Sequence, residues 1–387
     1  MKIPLVPALL AALVPATSLA APATLAIKAT NSLPIARSSE TIVLAGDKLA
    51  PLGEKSLDKI HIKDAGGNEL LVQTVDLEGD GAFDQVIFQS DFGPKEAKEF
   101  TASAGKKQAY AAARFKAYGR FVRERFDDFA WENDRIAQRT YGKALENWKA
   151  EPLTSSTIDI WSKRVPRMVI NDWYMTGTYH DDSGEGADFY SAGKSRGNGG
   201  NGLWAVDRLW TSKNFVNSRV IAAGPIRVQF ELEYEPFDVN GTQVAESKRI
   251  TLDAGSNLGH YVSTYKPSAG GSLTMGIGVK KADLLEKDMD AARGTFTTWE
   301  TVKADRKGAS RWGQAIIVEP GRFEKLTEDE LNMLVLAKVP PDNVGDYWAG
   351  FCWDQSGQFA DYAAWKSYVS QFAQRLASPI TVSVAAK

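Results

Sequence analysis

His180 lies in Tyr179-His180-Asp181-Asp182-Ser183-Gly184-Glu185, with Tyr174 just upstream and Lys194 and Arg196 downstream. An imidazole among phenols and carboxylates can exchange a proton near neutral pH, and the two cations can hold a negatively charged group. The surrounding stretch, Asn171 to Trp204, has eight glycines, six aromatics and five carboxylates (Asp172, Asp181, Asp182, Glu185, Asp188), with Leu203 its only Leu, Ile or Val. Such a segment makes a poor core. Aromatic faces beside hydrogen-bonding and titratable groups suit a sugar ring, whose C–H faces stack and whose hydroxyls need partners. A loop histidine satisfied by local carboxylates is the plain alternative.

The other histidines offer less. His61 alternates onto the face of Lys59 and Lys63, the expected solvent side, and His260 precedes Tyr261-Val262 at a strand start, where it reads as structural or catalytic. His180, Asp181, Glu185 and Asp188 have metal-ligand chemistry but lack the helical spacing of an HExxH site, so no metal is assigned to them. In Asp76-Leu77-Glu78-Gly79-Asp80-Gly81-Ala82-Phe83-Asp84, alternate acids with Gly at the sixth place resemble half a calcium loop. Position twelve is Ile87 and not a bidentate Glu. The readings are a solvated hairpin turn or a structural calcium on Asp76, Glu78, Asp80 and Asp84; no cofactor is otherwise required. Cys352, the single cysteine, stands between Phe351 and Trp353 as a packed small hydrophobe and excludes an intramolecular disulfide.

A second dense block is Arg123-Glu124-Arg125-Phe126-Asp127-Asp128-Phe129-Ala130-Trp131-Glu132-Asn133-Asp134-Arg135. Trp131 can stack on a sugar, and Asn133 and Arg135 can bind hydroxyls or a carboxylate, as one wall of the same cleft. Tyr190, Lys194 and Trp204 are further substrate-binding candidates. A strand and turn braced by surface ion pairs is the alternative.

The elements that must position these groups are mostly strands. Ile226, Val228, Phe230, Leu232 and Tyr234 alternate with polar residues, Asn240-Gly241 is a hairpin turn, and a partner strand is expected around Lys248 to Leu252. Further strands fit 41–44, 84–88, 314–318, 333–338 and 380–384. Tyr362, Trp365, Val369, Phe372 and Leu376 make one helical stripe, and Thr327 with Glu330 predicts a short capped helix. The expected fold is all-β, an antiparallel sandwich with a few helices. The stretch 102–119, rich in Ala, Lys and Gly, marks the boundary between an N-terminal β module (21–112) and a larger sugar-binding or catalytic domain (113–387).

Residues 1–20 read as a secretory leader: Lys2, an apolar run from Ile3 to Val14, and Ser18-Leu19-Ala20 for cleavage. A periplasmic or secreted protein is expected. The net charge of −2 suggests neither a nucleic-acid nor a membrane partner; the oligomeric state is left open.

The blocks 124–135, 179–190 and Ser195-Arg196-Gly197-Asn198-Gly199-Gly200 resemble a secreted bacterial family carried as domain of unknown function 4861, often encoded with genes for breaking down uronate-rich polysaccharides. That resemblance spans most of the chain. It implies a galactose-mutarotase-like supersandwich, a fold that hosts epimerases, lyases and sugar binders alike. The expected function is a carbon–oxygen lyase on uronate-containing oligo- or polysaccharides, by β-elimination or dehydration. His180 would be the base, Tyr179 or Tyr174 the acid or its relay, and Arg196, helped by Lys194 or Arg135, the carboxylate clamp. Glu185 would orient His180 or bind a hydroxyl. The alternatives are epimerase-like or hydrolytic chemistry with His180 or His260, and a noncatalytic glycan-binding protein.

Overall fold

The computed structural model describes residues 23–149, 153–282, 284–302 and 310–386; the leader read at 1–20 lies outside them. Alternating strands of this length bury one face only, and here two sheets bury theirs against each other. The larger sheet has eight antiparallel strands in the order Phe215–Ala223, Arg227–Val239, Thr242–Asp253, Leu258–Pro267, Val344–Trp353, Arg311–Ile317, Thr295–Thr301, Leu284–Asp290. The facing sheet runs Arg208–Trp210, Asn198–Ala205, Thr274–Lys280, Asn332–Lys338, Phe323–Glu328. Val228, Phe230, Leu232, Tyr261, Ile277, Val335 and Tyr347 share the core between them.

The alternation beginning at Ile226 and the Asn240-Gly241 hairpin occur as expected, with Phe230 opposite Ile250. Gln229, on the nominally solvent side, is nevertheless buried because the N-terminal module covers that end. Gln73 of that module accepts from the backbone N–H groups of Ile226 and Arg227, both at 2.7 Å. The module's two sheets share a core of Ile27, Ile42, Leu44, Ile62 and Phe88. The last strand, Thr381–Ala386, pairs with Thr24–Thr30, so the chain's end joins the first module's sheet and not the rest of 113–387.

Two local expectations change. Thr327 does not cap a helix: Phe323–Glu328 is a strand with Thr327 opposite Leu334, and Asp329 closes the hairpin by accepting from the N–H groups of Leu331 and Asn332. The glycine-rich end of the segment that reads as a poor core is buried: residues 198–202 form most of the strand Asn198–Ala205. Its glycines let the sheets approach: Gly199 has φ +89°, and a Cβ there would lie 2.3 Å from that of Ala349.

The predicted helical stripe is present as Tyr362–Ala377, with Trp365 and Val369 packed on Ala315, Ile317 and Cys352. Phe372 and Leu376 stay half-buried beside this core. Asp361 caps the helix, its carboxylate accepting from the N–H of Ala364 at 2.8 Å. Asp361→Ala is expected to cost about 1 kcal/mol in urea unfolding; an unchanged midpoint would remove the cap from this account.

Candidate active site

A third sheet, Ala117–Val122, Asp128–Asn133, Ala137–Thr140, Asp159–Lys163 and Gly186–Ala187, flanks the sandwich. Its two faces divide the chemistry. Phe129 and Trp131 point into the sandwich, where both rings meet Phe230. Asp128, Ala130 and Glu132 take the opposite face, because side chains alternate along a strand. Register sets Arg139 opposite both Ala130 and Asp159. Asp188 arrives one residue beyond the short strand Gly186–Ala187.

The Arg139 guanidinium is therefore ringed by carboxylates. Nε donates to Asp159 Oδ2 at 2.8 Å, Nη2 to Asp188 Oδ2 at 2.9 Å, and Nη1 stands 3.6 Å from Asp128 Oδ2. Tyr141 donates to Asp159 at 2.7 Å and Tyr174 to Asp128 at 3.3 Å. One buried cation cannot balance three buried anions, so protonation relieves the excess. Burial pushes Asp128 up to about 7 against the pull of Arg139, and it raises Asp188 well above the usual carboxylate range, reinforced by Asp159.

This cluster reaches solvent through Tyr179 and His180. The Tyr179 hydroxyl accepts from Arg125 Nε at 2.9 Å and, more weakly, from Arg139 Nη1 at 3.5 Å. Its ring stacks on Trp161 at 5.1 Å and meets the His180 ring at 4.4 Å. His180 Nδ1 lies 3.2 Å from the Asp188 carbonyl and 3.5 Å from Asp188 Oδ2, and the side chain is 61% exposed. With Nδ1–H donating to that carbonyl, Nε2 carries the lone pair. Arg125 lies over the Trp148 ring at 4.9 Å, and Trp148 stacks on Phe126 at 4.8 Å. Phe126 and Asp127 both have positive φ, holding the tight turn that sets Arg125 beside the cluster.

Several predicted site residues lie elsewhere. Arg196 is buried in the sandwich beside Ser156, with its own backbone N–H on Asn332, and burial lowers its pKa to about 10. It lies away from His180 because the strand that follows it, Asn198–Ala205, continues into the central sheets. Glu185 pairs with Arg167, which holds its carboxyl below the usual range, and Arg167 also pairs with Asp172, so this acid belongs to a surface ion-pair network and not to His180. Trp131 is core, its indole N–H on Gln138 at 3.1 Å. Asn133 is spent on backbone groups of Asp253, Ser256, Arg135 and Ile136. Arg135 bonds Asn257. Tyr190 is buried edge-on against Trp312, Lys194 is exposed, and Trp204 is half-buried opposite Leu209. Only Tyr179, Tyr174 and His180 of the assigned set converge, Tyr174 from beneath.

Arg125, Asp128, Tyr141, Trp148, Asp159 and Arg139 carried no assigned role in the sequence reading. Alternation along 128–133 was the available signal, since it separates Asp128 from Trp131 by face. Glu132 is structural: it is buried against Lys163 at 2.8 Å and accepts the N–H groups of Val169 and Ile170 at the start of the helix Ile170–Thr176. His260 Nε2 lies 3.1 Å from Asp346. In the acidic loop Asp76, Glu78 and Asp84 come within 4.8 Å of one another without Asp80, while Asp76 already accepts from Gly79 and Gly81 and Asp84 from Leu77. The loop is a hairpin turn between Val72–Val75 and Gln85–Phe92.

The chain is 31% identical over 371 residues to "Uncharacterized protein P7" of Formosa agariphila, covering 92% of each. Two solved structures from Enterococcus faecalis align with 94% of it: an alpha-mannosidase (TM-score 0.41, 7% identity) and a glycosyl hydrolase family 38 protein (TM-score 0.43, 9% identity). The chain spans about half the length of those two, 46% and 47%. Residues 29–382 match the family described as "Domain of unknown function (DUF4861)", and the chain belongs to that family.

Proposed function

We propose that this chain is an exported carbohydrate-active enzyme that breaks a C–O bond of a uronate-containing oligo- or polysaccharide by elimination. The observation that carries this reading is the adjacency of His180, Tyr179 and Arg125 at the solvent end of the buried Asp188–Arg139 pair. An imidazole, a phenol and a guanidinium supply the base, the acid and the carboxylate clamp that removal of a proton next to a carboxylate demands. Arg125 takes the role first given to Arg196.

In this mechanism Arg125 neutralises the substrate carboxylate, so the adjacent C–H can release its proton to His180 Nε2. The C–H pair becomes the new C=C bond, the neighbouring C–O bond breaks, and Tyr179 protonates the departing oxygen. With a sugar as leaving group this is chain cleavage; with hydroxide it is dehydration. Trp148 and Phe126 offer faces for ring stacking. Hydrolysis by two flanking carboxyls is less well served, since the side chains of Asp128 and Asp188 are 1% and 0% exposed.

Incubation with pectic, alginate and ulvan oligosaccharides, followed by product mass, tests the reaction. Cleavage without added water, or loss of one water, supports it; fragments that each carry the elements of water overturn it. Arg125→Ala is expected to raise KM for the uronate substrate about 10- to 100-fold, with partial recovery in Arg125→Lys. An unchanged KM in Arg125→Ala would return the clamp to another residue.

A further inference from the structure

Across four adjacent strands of the eight-stranded sheet, one register row reads Gln229, Thr251, His260, Trp348. Neighbouring strands are about 4.8 Å apart, so the row spans roughly 14 Å. It lies on the outer face, opposite the row Phe230, Ile250, Tyr261 and Tyr347, all four of which fill the sandwich. The N-terminal module stands along one side of this row and the C-terminal helix along the other. Together they enclose a cleft of about 520 Å³, within the size range of ligand pockets. None of its lining residues belongs to the Arg139 cluster or its mouth.

Three features define what the cleft can hold. The His260 ring lies flat on Trp348, 4.1 Å away and 12° from parallel, and Asp346 fixes its Nε2, which makes a rigid aromatic platform. Gln229 is nine-tenths buried on the floor; its Nε2 donates to Thr251 Oγ1 at 2.9 Å, and its Oε1 has no hydrogen-bond partner. A buried acceptor left open is costly unless a donor arrives. The lining ions cancel in pairs: Glu40 with Arg375 at 3.1 Å, Arg227 with Asp253 at 2.6 Å. A charged ligand would have to break one of these pairs, whereas a neutral ring with hydroxyl donors needs only the platform and the open acceptor. Trp348 and Leu376 also line a second, more apolar cavity of about 550 Å³.

We propose that this cleft is a separate binding site for a neutral oligosaccharide, with the ring seated by Trp348 and His260 and a hydroxyl donating to Gln229 Oε1. The site stands independently of the chemistry assigned to His180. Isothermal titration of the full chain with cellotetraose, xylotetraose, mannotetraose and tetragalacturonate tests it. Saturable binding of at least one neutral tetrasaccharide is expected, weakened at least about tenfold by Gln229→Met and by Trp348→Ala. Binding should be retained in His180→Ala. Gln229→Met preserves side-chain length, so it remains informative where Trp348→Ala fails to fold. Binding of tetragalacturonate alone, of no tetrasaccharide at all, or of a neutral one indifferent to Gln229→Met would each overturn the proposal, as would loss of binding in His180→Ala.

Discussion

Replacing His180 by alanine is expected to lower turnover on the uronate substrate by about 10²- to 10⁴-fold, the usual contribution of a positioned proton-transfer group. The fold should tolerate the change. The side chain is 61% exposed, and its ring contacts are the Tyr179 ring and the Asp188 edge. Melting temperature and near-ultraviolet circular dichroism should therefore match those of the parent while product formation collapses. The buried Asp188–Arg139–Asp159 arrangement does not depend on the imidazole, because Arg139 holds both carboxylates directly. Turnover within a factor of two of the parent would remove His180 from the reaction.

The second large effect concerns stability. Glu300 is buried in the sandwich, one carboxyl oxygen accepting from Gln314 Nε2 and the other without a partner. Burial raises its pKa from 4.5 to about 7, while the Gln314 hydrogen bond and Lys280 pull the other way. The folded state thus keeps a proton that the unfolded chain releases. Its stabilising contribution is complete below pH 4.5 and is lost as pH climbs towards 7. A shift of this size corresponds to about 3 kcal/mol. Glu300→Gln keeps an acceptor for Gln314 and cannot ionise. Relative to the parent, the variant is expected to gain about 3 kcal/mol between pH 4 and pH 8 in urea unfolding. The same stability difference at both pH values would refute the assignment. Asp128, pushed to about 7, acts in the same direction, so the parent should lose stability on the alkaline side.

Glu300 ends a buried polar chain that also explains why the tryptophan of the second sequence block is not at the surface. Trp131 donates to Gln138, Gln138 to Asn198, Asn198 to Gln314, and Gln314 to Glu300. Each link of this chain is a buried hydrogen bond, which is stronger in a low-dielectric interior and ties Trp131 to the sandwich core. Asn198 comes from the glycine-rich segment, whose polar composition reads as a poor core. Polar residues can belong to a solvated loop or to an interior network, and composition is the same in both.

Local patterns carried most of the secondary structure. Alternation from Val228 to Tyr234 requires a sheet with one apolar face, Asn240-Gly241 requires a tight hairpin, and the Trp365–Val369 spacing requires a helix stripe. The amino-acid sequence by itself also determined that Tyr179 and His180 lie together on a segment with little apolar content, which leaves the imidazole at the surface. Only the tertiary structure decided their company. Asp128, Arg139 and Asp159 come from three strands, and Asp188 from the residue just after a fourth; their register depends on backbone pairing between distant segments, and Arg196, sixteen residues from His180, is carried into a different pair of sheets. Periodicity assigns residues to one face or the other of a strand. What covers each face, and hence whether a charge meets water or a buried partner, is settled by which strands pair and which sheets stack.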